Sequence, residues 1–420
     1  VLNWFDAYPD DQFVKRNFLA NTFDGAIYTF AMSFISLSTV MPLFVKKIGG
    51  SNFAVALIPV LWTIGVNFPQ IFVANFVRKK PYKKPLLLLT ALFQRLPWLL
   101  LALFSLLLAD KITSGIQVII FFVLLGLAAI ASSINLPGWF DLIAKVTPVK
   151  IRGRLFASRA VLGSLLGLFG GWLTNIILSE FSYPLGFTIL FFLTFVIMML
   201  SYILLFLIKE TEPNPAKENF RYKAFFQRIP SLIINNKNYR NYLAADAFLI
   251  ASLMADAFFA INAIEKFNLP DAYAGVFTLI IMGSIIAGNF LFGYMGDKMG
   301  HKINMWIASS SMAAACIIAL LAPSAGYYFV VFIFSGFTAT LIQVSRIGII
   351  AEISSEDDRP TYVAVTNMIT SPFILLGIAG GWIASSFGYN YLFAFAGSMA
   401  LLSSALFYFK VKEPRLQSIN

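Results

Sequence analysis

Long apolar runs separated by short polar knots mark this chain from residue 17 to residue 410. A helix needs roughly 20 apolar residues to cross about 30 Å of hydrocarbon. Twelve segments meet that need: 17–45, 52–77, 84–108, 114–143, 153–179, 183–208, 239–266, 271–295, 302–322, 325–351, 360–386 and 389–410. Most joining loops are very short, which predicts antiparallel neighbours with no soluble domain between them. Transmembrane strands would show alternating segments of about 10 residues, whereas these runs are continuously apolar. One connection is longer. Residues 209–238 begin polar and Pro-bearing and become amphipathic and basic, which predicts a linker with a surface-lying helix near 220–234. The expected organisation is a six-helix bundle over 1–208, the linker 209–238 and a second six-helix bundle over 239–420.

Composition agrees with the pattern. Of 420 residues, 59% are hydrophobic and 12% charged, against about 25% charged in soluble domains. The net charge of +11 resolves into a topology signal. Of the 31 Lys and Arg, 24 fall on the side of the N-terminus, four on the opposite side and three inside spans. By the positive-inside rule both termini are cytoplasmic, in a multi-pass protein of the cell's inner (plasma) membrane. The basic balance then fits anionic lipid headgroups and not nucleic acid. The first residues, "VLNWFDAYPDDQFVKR", are mixed and polar and do not read as a cleavable leader. Cys316, the one cysteine, lies in an apolar run and reads as a small core residue. One histidine and one cysteine exclude a His/Cys metal site. The absence of a G-x-x-x-x-G-K-[ST] stretch argues against ATP drive. No cofactor and no catalytic group are expected, so the chain does not read as an enzyme.

The two halves repeat. "NFLAN" at 17–21 matches "NYLAA" at 241–245, and "GGW" at 170–172 matches "GGW" at 380–382. "LIAKVTPVKIRGRLFA" at 142–157 matches "IIAEISSEDDRPTYVA" at 349–364, setting Arg152 on Arg359. The matches keep their order and fall at equivalent places, and both halves start on the same side. This predicts a parallel repeat of six spans. Between the eighth and ninth spans stands "GYMGDKMGHK", 293–302, with Gly293, Asp297, Lys298, Gly300, His301 and Lys302.

Twelve spans, the parallel repeat, the central linker and this knot resemble the major facilitator superfamily, whose loop signature is roughly G-x-x-x-D-R/K-x-G-R/K-R/K. The "RGR" after the fourth span is also similar to a group of bacterial facilitator proteins. The resemblance implies an all-α membrane protein, a monomer, of twelve transmembrane helices in two six-helix bundles related by a pseudo-two-fold. It implies a central cavity lined by helices 1, 4, 7 and 10, exposed alternately to each side. It implies that Asp297 latches the outward-facing state, and an acid near the positive end of a neighbouring helix is favourable on physical grounds too. The first-half copy, "ANFVRKKPYKKP", has Arg78 where the acid would stand.

Charges suggest further gating. The loop after the fourth span carries Arg152 and Arg154; its partner after the tenth carries Glu352, Glu356, Asp357 and Asp358. Opposite signs at equivalent places suit a gate that closes and parts. An ionisable group inside a span is costly unless paired or solvated. Asp256 is the leading proton-coupling candidate, followed by Asp24 and Asp246. Arg346 is expected to pair with Asp24 or Asp246. Arg95, nearly mid-membrane, is expected to form an internal ion pair with Asp24, and Arg159 to top its helix at the interface. Asn21, Tyr28, Asn135, Asn262, Gln343 and Arg346 are substrate-cavity candidates, the neutral ones equally able to hold helices together. "GSLLGLFGG", 163–171, resembles the glycine-rich fifth-helix motif of facilitator antiporters but lacks its proline; close helix packing explains it as well.

The expected function is a secondary active transporter for a small organic, amphipathic solute, coupled to protons, working by alternating access, with export favoured. Uptake of a small organic anion through Arg346 or Arg95, a lipid or lysolipid flippase, and a non-transporting receptor remain as alternatives.

Overall fold

The computed structural model describes residues 13–109, 111–211, 213, 222–355 and 358–416. Seven helices precede the linker: α1 (Val14–Ser33), α2 (Val40–Lys47), α3 (Asn52–Lys79), α4 (Lys84–Leu107), α5 (Ser114–Val146), α6 (Val149–Glu180) and α7 (Leu185–Leu207). Helix α8 (Tyr222–Asn235) lies in the linker, where the amphipathic pattern predicted one. Then come α9 (Lys237–Ser252), α10 (Asp256–Phe267), α11 (Tyr273–Met299), α12 (His301–Leu321), α13 (Gly326–Ile353), α14 (Arg359–Thr370), α15 (Leu376–Ser386) and α16 (Tyr389–Phe409).

Among the described residues, eleven stretches are long and apolar enough to cross a membrane. The expected first span, 17–45, is not one of them. Helix α1 carries Lys15, Arg16 and Asp24, and it stops at Ser33 before a turn over 34–39. In that turn the hydroxyls of Ser38 and Thr39 are bonded to the side chains of Asp256 and Thr278. Two later spans are also interrupted. A 3-10 turn, Leu253–Ala255, separates α9 from α10, and another, Ser371–Leu375, separates α14 from α15. In the second, Pro372 removes a backbone donor.

The chain divides into two compact units. The first comprises Val1–Ser36, Lys47–Gly49 and Leu61–Phe220. Within it α1 packs on α6 and α7, and α4 on α5 and α7. Glycines make the α1–α6 approach possible: a Cβ at Gly163 would stand 2.9 Å from Thr29 Oγ1, and one at Gly170 would collide with Ser33. Packing thus accounts for Gly163 and Gly170. The chain leaving α7 is fastened back. Asn17 Nδ2 donates to the Lys209 carbonyl at 3.0 Å, and the Lys209 N–H donates to Asn17 Oδ1 at 2.8 Å. The next residue, Glu210, accepts the backbone N–H groups of Lys83 at 3.0 Å and Lys84 at 2.9 Å, and Lys145 Nζ at 3.0 Å. A buried carboxylate therefore caps the start of α4, where the helix dipole favours negative charge.

The second unit comprises Leu37–Lys46, Gly50–Val60 and Arg221–Asn420. Here α12 packs on α13 and α16, α13 on α11, and α16 on α9. The exit of α16 copies the exit of α7. Asn241 Nδ2 donates to the Lys410 carbonyl at 2.8 Å, and Asn238 exchanges bonds of 3.0 and 2.8 Å with Lys412. The following Glu413 sets its carboxylate against Gly300, in the space a Cβ there would fill. Gly300 is the one residue between α11 and α12, and its φ of +87° is a conformation that only glycine adopts readily. The matched asparagines of "NFLAN" and "NYLAA" therefore have a shared structural task.

Candidate functional site

A cavity of about 270 Å³ opens within the first unit. Every long helix of the unit contributes: Asp24 and Tyr28 from α1, Trp62 and Val66 from α3, Gln94 and Arg95 from α4, Asn135 and Trp139 from α5, Arg159 from α6 and Leu205 from α7. Arg159 does not top its helix. It points inward, pairs with Asp24 at 3.2 Å, donates to the Asn21 carbonyl, and lies 4.6 Å from the Trp139 ring centre. Its approach to α1 uses the space beside Gly25.

The expected Arg95–Asp24 ion pair is not made directly. Arg95, 2% exposed, donates to the carbonyls of Met198 and Ala91 at 2.8 Å, to Gln94 Oε1 at 3.3 Å and to Ser201 Oγ at 3.0 Å. Ser201 in turn donates to Asp24 Oδ1 at 2.7 Å, bridging cation and acid. Arg159 displaces Arg95 as the direct partner because α6 packs on α1 through its glycines. Gln94 Nε2 donates to Tyr28 Oη at 2.9 Å and to Ser132 Oγ at 2.7 Å. Asn135 Nδ2 donates to the Leu87 carbonyl and Thr90 Oγ1 at 3.0 and 3.1 Å, so its amide nitrogen holds α4 to α5. Asn21, fully buried, donates to the Asn17 carbonyl at 2.9 Å and supports α1 from within.

Asp256, in the second unit, opens α10 directly after the 3-10 turn. Its carboxylate accepts Ser335 Oγ from α13 at 2.5 Å and Ser38 Oγ from the segment between α1 and α2. Among the described residues it has no ion pair. The adjoining Thr39 hydroxyl bonds Thr278 at 2.6 Å. Asp246, 0% exposed, pairs with Arg346 at 2.9 Å, and Arg346 also reaches Asn367 at 3.2 Å and Thr370 at 2.6 Å. Asp246 is thus the partner of Arg346, and Asp24 is not. Asn262 donates to the Tyr328 hydroxyl, tying α10 to α13, and Gln343 is exposed on α13.

The gating candidates are placed as follows. Arg152 folds back onto the end of α5, donating to the carbonyls of Ala144 at 2.7 Å and Thr147 at 3.1 Å; Arg154 is exposed. Asp358 accepts from Ser355 Oγ at 3.2 Å, while Glu356 and Asp357 lie outside the described residues. Glu352 is held by Arg415 at 2.6 Å and lies 3.9 Å from His301. Asp297 stands exposed in the last turn of α11, and among the described residues its carboxylate has no ion pair. Its backbone carbonyl accepts Arg415 at 2.7 Å. The acid against the start of α12 is Glu413. Lys298 Nζ lies over the Tyr294 ring at 4.6 Å.

Sequence reasoning passed over several participants. Gln94 was visible as the polar neighbour of Arg95 in "LFQRLPW". Trp62 and Trp139 read only as aromatics among many. Ser38, Ser201 and Ser335 carried no signal, because serine is common in membrane helices.

Residues 247–420 match the sequence profile of the Major Facilitator Superfamily. No curated protein matches by sequence. Solved structures match over nearly the whole chain. The nucleoside transporter NupG is 11% identical, with 94% of this chain and 99% of that one covered and a TM-score of 0.70. A D-xylose-proton symporter is 14% identical, with 96% and 99% covered and a TM-score of 0.70. A bacterial homologue of the human lysosomal transporter Spinster is 14% identical, with 97% and 98% covered and a TM-score of 0.69. The chain is an all-α, multi-pass membrane protein with the major facilitator fold, and residues 247–420 carry that superfamily's sequence signature.

Proposed function

We propose that this chain is a proton-coupled secondary active transporter for a small organic, amphipathic solute, seated in the cell's inner membrane with both termini cytoplasmic. One observation carries the coupling. Asp256 is a half-buried acid whose described partners are two hydroxyls, Ser38 and Ser335. An ionised carboxylate accepts from both. A protonated one turns an acceptor oxygen into a donor, so one of the two bonds must break or reverse. Proton uptake therefore rearranges the bonds that Ser38 and Ser335 make with Asp256, at the point where the first span is interrupted. Discontinuous helices at such positions suit ion sites, since free backbone groups and helix ends surround the charge. The cavity of the first unit supplies polar hydrogen-bonding groups beside Trp62 and Trp139, as an amphipathic solute requires.

The test is flux in proteoliposomes carrying an internal pH-sensitive dye, scanned over compound classes. Solute movement should alkalinise or acidify the lumen, and Asp256→Asn should uncouple the two. Flux that ignores both Asp256→Asn and an imposed pH gradient would remove proton coupling.

A further inference from the structure

The charge balance of the cavity in the first unit points to its ligand. Three lining residues carry charge: Asp24, Arg95 and Arg159. Asp24 is already matched by Arg159 at 3.2 Å and by the Ser201 hydroxyl at 2.7 Å. Among the described residues, Arg95 has no carboxylate within ion-pair distance. Its four described hydrogen bonds go to two backbone carbonyls, an amide oxygen and a hydroxyl, all neutral. A guanidinium has five N–H donors, which leaves one uncommitted. Arg95 reaches Asp24 only through Ser201, so two cations share one carboxylate; a buried charge in excess is costly, and an anion entering the cavity lowers that cost. Tyr28 receives a bond from Gln94 and keeps its own O–H for a further acceptor. The lining also includes apolar side chains, among them Trp62, Val66 and Leu136.

Resting on the transporter reading above, we infer that this cavity binds a small organic monoanion, its acidic group toward Arg95 and Tyr28 and its apolar body against Trp62. A cation would meet two guanidinium groups and one acid already engaged. A neutral solute would leave the excess charge unmatched.

The experiment is isothermal titration of the purified protein in detergent with benzoate, benzylamine and benzyl alcohol, which share a ring and differ in charge. Benzoate should bind tighter than either by about tenfold or more, the scale of a charge-assisted hydrogen bond. Arg95→Gln should erase that preference. Val66→Asp, which adds an acid to the same cavity, should erase it too and serves if the first variant does not fold. Equal or tighter binding of benzylamine or benzyl alcohol, no binding by any of the three, or a benzoate preference that survives in a folded variant would overturn the assignment. Proteoliposome flux separates the two readings. Benzoate binding without flux of any solute would overturn transport and leave the anion site standing. Flux of a cationic or neutral solute with no benzoate binding would overturn the anion site and leave transport standing.

Discussion

Arg346→Gln is expected to destabilise the protein more than the combined change Arg346→Gln with Asp246→Asn. The Asp246 carboxylate is 0% exposed, and Arg346 reaches it at 2.9 Å through Nη2 and at 3.0 Å through Nε. Removing only the cation strands a buried anion, which costs about 3–5 kcal/mol. For a chain of this size that is on the order of a 3–6 °C fall in Tm. Removing both charges leaves two amides that can bond each other and removes the stranded ion, so most of the loss should return. Asp246→Asn alone should cost less than Arg346→Gln, because Arg346 is partly exposed and keeps Asn367 and Thr370 as partners. Thermal unfolding of the four proteins in one detergent, followed by circular dichroism, gives the comparison. A double variant no more stable than Arg346→Gln would refute the view that the pair is a mutually dependent buried unit.

Gly170→Leu should separate α6 from α1 at Ser33, costing about 1–3 kcal/mol by overpacking and broadening the size-exclusion profile in detergent; an unchanged Tm would contradict the close contact. Glu413 gives a pH dependence. Burial first, then the neighbouring Glu352 carboxylate, push its carboxyl above the ordinary glutamate value, against the opposing backbone N–H groups of Arg415 and Lys302. A raised folded-state pKa means the folded chain holds this proton more tightly than the unfolded one, so the contribution favours folding in acid and fades as pH rises through the folded value. Glu413→Gln should therefore raise Tm at neutral pH, with the gain disappearing in acid; a gain that grew in acid would contradict the sign.

Helix limits were legible because lipid tolerates few exceptions. The run 84–108 became Lys84–Leu107, and 389–410 became Tyr389–Phe409. Interruptions without Pro or Gly were not legible. "LMA" at 253–255 has no residue that stops a helix, and only its surroundings turn it into a 3-10 segment. Pairings were half legible. Arg346 and an acid at similar depth could be matched by height alone, and Asp246 fits. Asp24 and Arg159 are 135 residues apart, and their meeting depends on glycines that let α6 approach α1. The knot "GYMGDKMGHK" offered Asp297 to the positive end of a neighbouring helix. Helix α11 runs through Met299 and carries Asp297 on its own last turn, leaving the cap to a residue more than a hundred positions away.

The two exit glutamates carry a lesson about duplication. Glu210 and Glu413 follow a lysine in each half, and each returns to the start of that half's third long helix. The turn words they stand over, "VRKKPYKK" and "GDKMGHK", have diverged almost beyond recognition. A clasp that holds a helix start from elsewhere frees the turn itself to change its spelling. Ancestry between such halves is then better read at the residues where the chain leaves a bundle than at the turns within it.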